Sequence, residues 1–491
     1  MASNDRAPAA RVPARDLWGY ATGESVNSVA INGISNFALL FYTQVMGMSP
    51  ELAGLALFVA TFWDAVSDPI MGSVTDHTNT RWGRRHPYMV VGGFIFSIAF
   101  VALWLIPESV QGEAALFVYL LSMNLIVKTA FTIFVVPYMA LGFEMCRTYD
   151  DRARLQGIRY GFNMFVNIVT GGFGWVLFFP DQQAADGTLI DGTRIESNYQ
   201  TMGVVLGITT LLLILFCVYV TYKYADRSRR QPAHASAGGG MRGAVQTFFH
   251  DVRDVYSDRL VWFVFLFFGL AQFSMLIVSQ VQMFTYVEYM RFTAVEKTFV
   301  HTAGMVAFAT GSLVLGRMVR RFDKKKTGVS AMLFASAGSL GLFAVFIGGL
   351  LDPQSEPSGF PLAVVAFALL QMMWWGGTGV LVPLATSMIA DLAEIKRWQS
   401  GEVTEGRYAA GFSFFLKLAI SFGLFVTGYI LKFVGYESGA PEQAPDAVHN
   451  LAVTTFLAGP LLLVLSFAVL RRYPVTHETI RALRDRYERP A

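Results

Sequence analysis

The sequence predicts an all-α membrane protein with about twelve spanning helices in two halves of six. Three observations carry the prediction. Of 491 residues, 54% are apolar, only 15% are charged and 42 are phenylalanine, more continuous apolar sequence than a soluble chain of this length holds. Stretches long enough to cross a bilayer recur along the whole chain. One break, Arg227 to Gly243, reads RSRRQPAHASAGGGMRG, charged and then Ala/Gly/Ser-rich, and separates six such stretches from six.

In order, the apolar segments run from Leu17 to Val45, Leu52 to Val74, Tyr88 to Ile106, Ala114 to Met139, Tyr160 to Phe178 and Met202 to Tyr222. The second set runs from Leu260 to Met283, Val300 to Met318, Val329 to Leu350, Phe360 to Ala390, Tyr408 to Phe433 and Leu451 to Leu470. Met1 to Arg15 is polar and leads into an uncut first span, so the first helix is expected to be its own targeting signal. Residues 1–226 are then the first half and 227–259 a cytoplasmic linker. That linker includes an amphipathic segment with Val245, Phe248, Phe249, Val252 and Val255 at helical spacing. Residues 260–472 form the second half and 473–491 a cytoplasmic tail.

Basic residues sort by side. Arg81, Arg84 and Arg85, then Arg147, Arg152 and Arg154, then Lys223, Arg227, Arg229 and Arg230 follow even-numbered spans. So do Arg317, Arg320, Arg321 and Lys324 to Lys326, with Arg471 and Arg472 at the end. The loops Met46 to Ser49, Pro107 to Gly112 and Asp352 to Ser358 hold no Lys or Arg. By the positive-inside rule both termini are expected on the cytoplasmic side of a plasma membrane that the chain crosses many times. The net charge of +3 reflects these membrane-flanking clusters, which lack interleaved stacking aromatics and imply no nucleic-acid partner. Cys146 and Cys217 show no metal-ligand spacing, and no nucleophile and base constellation points to an enzyme.

The most informative residues are Asp64 and Asp68 in FWDAVSDP, one helical turn apart inside the second span, with Ser67 beside them. An acid at bilayer depth costs about 2.5 to 3.5 kcal/mol, so two of them are functional candidates. Pro69 cannot donate to the Ala65 carbonyl, which adds a free oxygen to two carboxylates and a hydroxyl. Such a hard oxygen set suits a small cation. The bland alternative is an acid pair neutralised by a basic residue of another helix.

The stretch TFWDAVSDPIMGSVTDHTNTRWGRRHPY resembles the signature of the glycoside-pentoside-hexuronide:cation symporters, the branch of the major facilitator superfamily that includes the melibiose permease. VVPYMALGFEM with DDRARLQGIR, and MIADLAEIKRWQSGEVTEGRYAAGFSFFLKL, resemble two further blocks of that family. With GYATGESVNSVAINGISNFALLFYTQVMG at the start, the resemblance covers nearly the whole chain. It implies a major facilitator fold and a secondary transporter, here cation-coupled symport of a sugar, glycoside or sugar acid by alternating access. A lysolipid carrier is the alternative, because lysophosphatidylcholine symporters resemble the same family. A receptor or enzyme is disfavoured.

The resemblance implies a cation site of Asp64, Ser67, Asp68 and Thr132, with Ser67 where the melibiose permease has an asparagine. Sodium is the expected coupling ion, with lithium or a proton open, and no cofactor is implied. For the substrate it implies Arg159, Lys417 and Ser413. Asn27, Ser28 and Val135 fall on a lysine and two sugar-binding aspartates of that relative, so its acidic anchors are missing here, although Glu24 is a nearby acceptor.

Lys128, one turn from Thr132, is either a counter-ion to Asp64 and Asp68 or an anchor for an anionic substrate. Trp374 and Trp375 are candidates to stack on a pyranose, or are packing residues. Gln272, Gln280 and Gln282 are candidates to bond hydroxyls or one another. Asp76, Arg81, Arg84 and Arg85 form a basic hairpin expected to hold an outward-facing state through ion pairs. Asp186-Gly187-Thr188 and Asp191-Gly192-Thr193 read as a surface hairpin in an external loop. The expected partners are a small-molecule substrate and the lipid bilayer, with the chain acting as a monomer.

Overall fold

The computed structural model describes residues 11–488 except 77, 79, 147, 184–186, 188, 226–239, 354–361 and 402–403. Arg147, Asp186, Thr188 and residues 227–239 of the linker between the halves therefore lie outside the described residues.

Among the described residues, nine helices are long and apolar enough to cross a membrane. They are Pro50–Asp76, His86–Trp104, Glu113–Met145, Glu196–Tyr224, Arg259–Tyr289, Ala294–Ile347, Leu362–Ser400, Glu405–Phe433 and Pro445–Arg471. The 54-residue segment Ala294–Ile347 is two helices. Asp323 interrupts it at φ 68° and ψ 160°, and its own carboxylate accepts from the Lys324 amide at 2.7 Å. The break falls in the basic stretch between the predicted eighth and ninth spans.

Two further segments are helical but irregular. From Ala14 to Val45 the chain passes through six short helical pieces, with π turns at Ala30–Ser35 and Phe41–Val45. From Tyr149 it runs helically to Asn167, through a π turn at Ile168–Gly172, and on to Gly174–Phe178. That helix starts eleven residues before the predicted span, because Thr148 caps it by accepting from the Asp151 amide at 3.1 Å. The extension is polar, which hides it from a reading of apolar length.

Elsewhere the boundaries follow caps. Thr293 and Glu296 form a capping box, and Asp258 accepts from the Leu260 amide at 2.9 Å. Gly435, at φ 86°, ends the Glu405–Phe433 helix by donating to Lys432 O at 3.1 Å. The amphipathic linker segment is a helix, Gly240–Ser257, with Val252 and Val255 buried. The tail is likewise helical over His477–Glu488, with Ile480 and Leu483 packed on the core of the second half.

The chain divides into two compact units that do not coincide with the halves of the sequence. One comprises Met1–Phe37, Trp63–Thr170 and Ser197–Gln246; the other comprises Ala38–Phe62, Gly171–Glu196 and Thr247–Ala491. The far ends of the first two helices and the loop after residue 171 thus pack with the second half. Inside the first unit, Tyr20 stacks on Tyr138 at 4.3 Å and donates to its carbonyl at 2.7 Å. A Cβ at Gly23 would lie 2.5 Å from the Tyr138 ring, so only glycine admits that stack. Inside the second unit the core is aromatic, with Phe265 stacked on Phe415 at 4.6 Å.

Candidate functional site

Asp64, Ser67 and Asp68 share one face of the Pro50–Asp76 helix, and Thr132 faces them from the Glu113–Met145 helix. The Thr132 hydroxyl oxygen lies 3.2 Å from Asp64 Oδ1, 3.1 Å from Asp68 Oδ1 and 3.0 Å from Ser67 Oγ. Ser67 also reaches Asp64 O at 3.3 Å. Asp64, Ser67 and Thr132 are all buried. The arrangement is a set of hard oxygens converging around a point of negative charge, suited to a small alkali cation or a proton. All four residues belong to the first unit, so this part of the sequence-predicted site is brought together by two packed helices.

A second polar group in the same unit is only partly visible in the sequence. Arg159 pairs with Glu24 at 2.5 Å, both side chains nearly buried. Asn163 donates to Ser28 Oγ at 3.0 Å and to Glu24 at 3.4 Å, and accepts from Asn167 at 3.0 Å. Asn32 donates to Asn167 Oδ1 at 2.7 Å, and Asn36 to Asn32 Oδ1 at 3.5 Å. These amides alternate between two helices as a strip leading away from the Glu24–Arg159 pair. The π turn at Ala30–Ser35 places Asn32 in register with it. The signal that could have found the strip is the recurrence of asparagine at intervals of four, 32 and 36 on one helix and 163 and 167 on the other.

The remaining predicted substrate residues scatter. Ser413 and Lys417 stand one turn apart on the Glu405–Phe433 helix of the second unit. Lys128 sits over the Phe131 ring, 5.8 Å from its centre, and forms no ion pair among the described residues. The Trp374 indole is buried in the second unit, where a Cβ at Gly459 would meet it. Trp375 packs edge-on to Phe308. Gln282 bonds the Tyr286 hydroxyl, which also bonds Gln371 at 2.7 Å, so it joins a phenol and not another of the three glutamines named.

The basic hairpin forms ion pairs, with a partner that the sequence does not single out. Arg84 and Arg85 reach Glu144 at 2.9 and 3.1 Å, and Arg85 also contacts Asp76 and Thr75, both at 2.7 Å. Arg81 is exposed and forms no ion pair among the described residues. These pairs all lie inside the first unit, where they staple the ends of three helices.

A denser lattice lies inside the second unit. Arg194 holds Glu288 through two bonds of 2.8 and 2.9 Å and donates to Ala440 O at 3.1 Å. Gln44 donates to Glu288 at 3.2 Å, and Gly439 N donates to Thr43 O at 3.0 Å. Lys297, with only 1% of its side chain exposed, pairs with Asp191 and lies 5.6 Å from the Trp175 ring centre. Asp191 also accepts from the Thr193 amide and hydroxyl at 2.9 and 2.7 Å. The hairpin expected at this loop is present as Gln182–Gln183 paired with Leu189–Ile190. Asp191-Gly192-Thr193 follows it and opens a 3-10 turn. Burial alone would raise the Asp191 pKa, but Lys297 and the Thr193 bonds outweigh it and hold the carboxyl below its usual range.

Residues 19–477 match the family described as MFS/sugar transport protein. The chain belongs to this family. It is 25% identical over 482 residues to the inner membrane symporter YicJ of Escherichia coli K12, covering 96% of this chain and 94% of that protein. It is 25% identical over 476 residues to the glucuronide carrier protein homolog of the same organism, with the same coverage. A bacterial homologue of the human lysosomal transporter Spinster superposes with a TM-score of 0.67 at 14% identity, over 97% of this chain and 98% of that one. The fold is the major facilitator fold, and the chain is a multi-pass membrane transporter of the sugar-transport family, not an enzyme.

Proposed function

We propose that this transporter couples uptake of a sugar-type solute to a cation bound at Asp64, Asp68, Ser67 and Thr132. The observation that carries the reading is the Thr132 hydroxyl held within 3.2 Å of both carboxylates. A cation there neutralises the pair and lets the helices carrying it pack as the carrier reorients. Sodium is the proposed ion, because the set offers only hard oxygens. If so, sodium raises substrate affinity at fixed pH, and substrate raises sodium affinity by the same factor. Paired binding titrations test this. Dependence on pH with no response to sodium or lithium would assign the site to a proton.

For the substrate, the Glu24–Arg159 pair and the amide strip from Ser28 to Asn167 support a hydroxyl-rich ligand. Lys417 and Ser413, on the Glu405–Phe433 helix of the second unit, remain proposed substrate residues on the family resemblance. The strip favours a sugar over a lysolipid, since amides read hydroxyl groups and leave an acyl chain unmatched.

One observation supports a sugar acid as the particular substrate. The Lys128 ammonium has no carboxylate partner among the described residues. The similarity to a protein named as a glucuronide carrier homolog points the same way. Lys128→Gln is expected to weaken an acidic glycoside by about 2 to 5 kcal/mol, the range for losing one partner of a desolvated charge pair. A neutral glycoside and the cation should be affected little. Equal affinity of the mutant and the parent for uronates in isothermal titration would return neutral glycosides to first place.

A further inference from the structure

A groove of about 810 Å³ opens on the first unit beside the ends of three helices, lined at one end by Arg15 and Lys223. Both cations stand at termini that the positive-inside reading places on the cytoplasmic side. Lys223 is paired with buried Asp16 at 2.6 Å, and Tyr224 donates to the same carboxylate at 2.6 Å. Arg15 is exposed and forms no ion pair among the described residues. Among the described residues these two cations face one carboxylate, which leaves an excess of one positive charge beside the groove.

The walls are aromatic and turned outward. Trp82 is 43% exposed, Tyr219 80% and Tyr222 49%, the amphipathic rings that settle at the level of lipid headgroups. Phe216 and Val220 add apolar surface to the lining of the groove. On its inner side His86 turns Nε2 to the Thr221 hydroxyl at 3.2 Å, while its buried Nδ1 has no partner among the described residues.

We propose that this groove seats a phospholipid with a singly anionic headgroup, its phosphate at Arg15 and Lys223 and an acyl chain along Phe216 and Val220. The charge is matched one to one, and the aromatic collar lies between the polar and apolar parts. A basic pocket between helices on the cytoplasmic side is the recognised form of such a site. The inference is independent of which solute is carried.

The test uses the full chain in nanodiscs of phosphatidylcholine with increasing phosphatidylglycerol, the retained lipids being counted by native mass spectrometry. The parent protein should keep one phosphatidylglycerol in preference to phosphatidylcholine. Arg15→Gln should lower that preference about five-fold, the effect of about 1 kcal/mol per basic residue at a membrane surface. Arg15→Lys should restore it, which separates charge from folding. Equal retention of both lipids by the parent, or an unchanged preference in Arg15→Gln, would overturn the proposal. Displacement of the lipid by millimolar inorganic phosphate would overturn it too, by making the groove a site for the free anion.

Discussion

Asp68→Asn is expected to abolish cation-driven accumulation while the protein still folds and still exchanges solute passively, and Asp64→Asn is expected to do the same. Thr132 bridges the two carboxylates at 3.2 and 3.1 Å, so the proposed cation is shared and neither acid holds it alone. Removing one partner from a buried charged set costs about 3 to 5 kcal/mol, more than about a hundred-fold in affinity. Folding should survive, because asparagine keeps the volume and removes a charge that is costly at bilayer depth. Concentrative uptake by proteoliposomes under an imposed sodium gradient is the measurement. Normal accumulation in either mutant would remove the proposed cation site, whereas loss in both with intact thermal unfolding supports it. Thr132→Val should show a smaller loss, since it deletes one oxygen and no charge.

The second large effect is expected at the lattice of Asp191, Lys297, Arg194 and Glu288. The positive-inside reading puts these residues on the outer side, and in the proposed transport cycle the lattice parts before solute enters from outside. Asp191→Asn leaves the Lys297 ammonium, 1% exposed, without its counter-charge, and Glu288→Gln takes from Arg194 both of its carboxylate bonds. Either change should shift the equilibrium toward the parted state by about 3 to 5 kcal/mol. Hydrogen exchange reads this directly at the Gly439 amide, which donates to Thr43 O at 3.0 Å, and at the Val176 amide, which donates to the Thr298 hydroxyl at 3.2 Å. Both should exchange at least about a hundred times faster.

The control is Lys432→Gln. Its pair with Glu51 at 2.6 Å belongs to the same unit, but the lysine side chain is 59% exposed, and such pairs contribute about 0 to 1 kcal/mol. Unchanged exchange in both buried-pair mutants would show that the lattice does not restrain the outer ends. The pH response has a definite sign. The Asp191 pKa is depressed in the folded chain, so its contribution is fully present above the ordinary carboxylate pKa and lost only as pH falls through the depressed value. This pair therefore should hold without change across neutral pH and weaken only in strong acid.

Much of the site is legible in the amino-acid sequence. Asp64 and Asp68 announce themselves because an acid in an apolar span is costly and a spacing of four places both on one helix face. Thr132 rests on a resemblance of motifs, and the packing of its helix against theirs agrees. Glu24 is visible only as an isolated acid near the start of the first helix. That it pairs with Arg159 depends on two helices 135 positions apart in sequence meeting at one height. Glu144 is inconspicuous for the same reason. A carboxylate near a helix end reads as solvated until Arg84 and Arg85 are seen to converge on it.

The tryptophans are ambiguous in the sequence. Trp374 and Trp375 read either as sugar platforms or as packing residues beside two glycines, and the structure shows the contacts each ring makes with its neighbours. Side-chain type does not reveal which face of a helix that is apolar all round turns inward. The buried pair of Lys297 with Asp191 is hidden likewise, since each residue sits at a polar segment end.

Membrane setting, spans, family and acid pair all follow from the order of residues alone, because they rest on apolar length, charge cost and local spacing, which are properties of neighbours in the chain. Which charges meet is settled only by packing: Glu24 with Arg159, Glu144 with the hairpin, Asp191 with Lys297 and Arg194 with Glu288. Packing also assigns residues 38–62 and 171–196 to the unit of the second half. The energy of a buried ion pair depends on distance and desolvation between residues far apart in the chain, and neither quantity exists until the helices have come together.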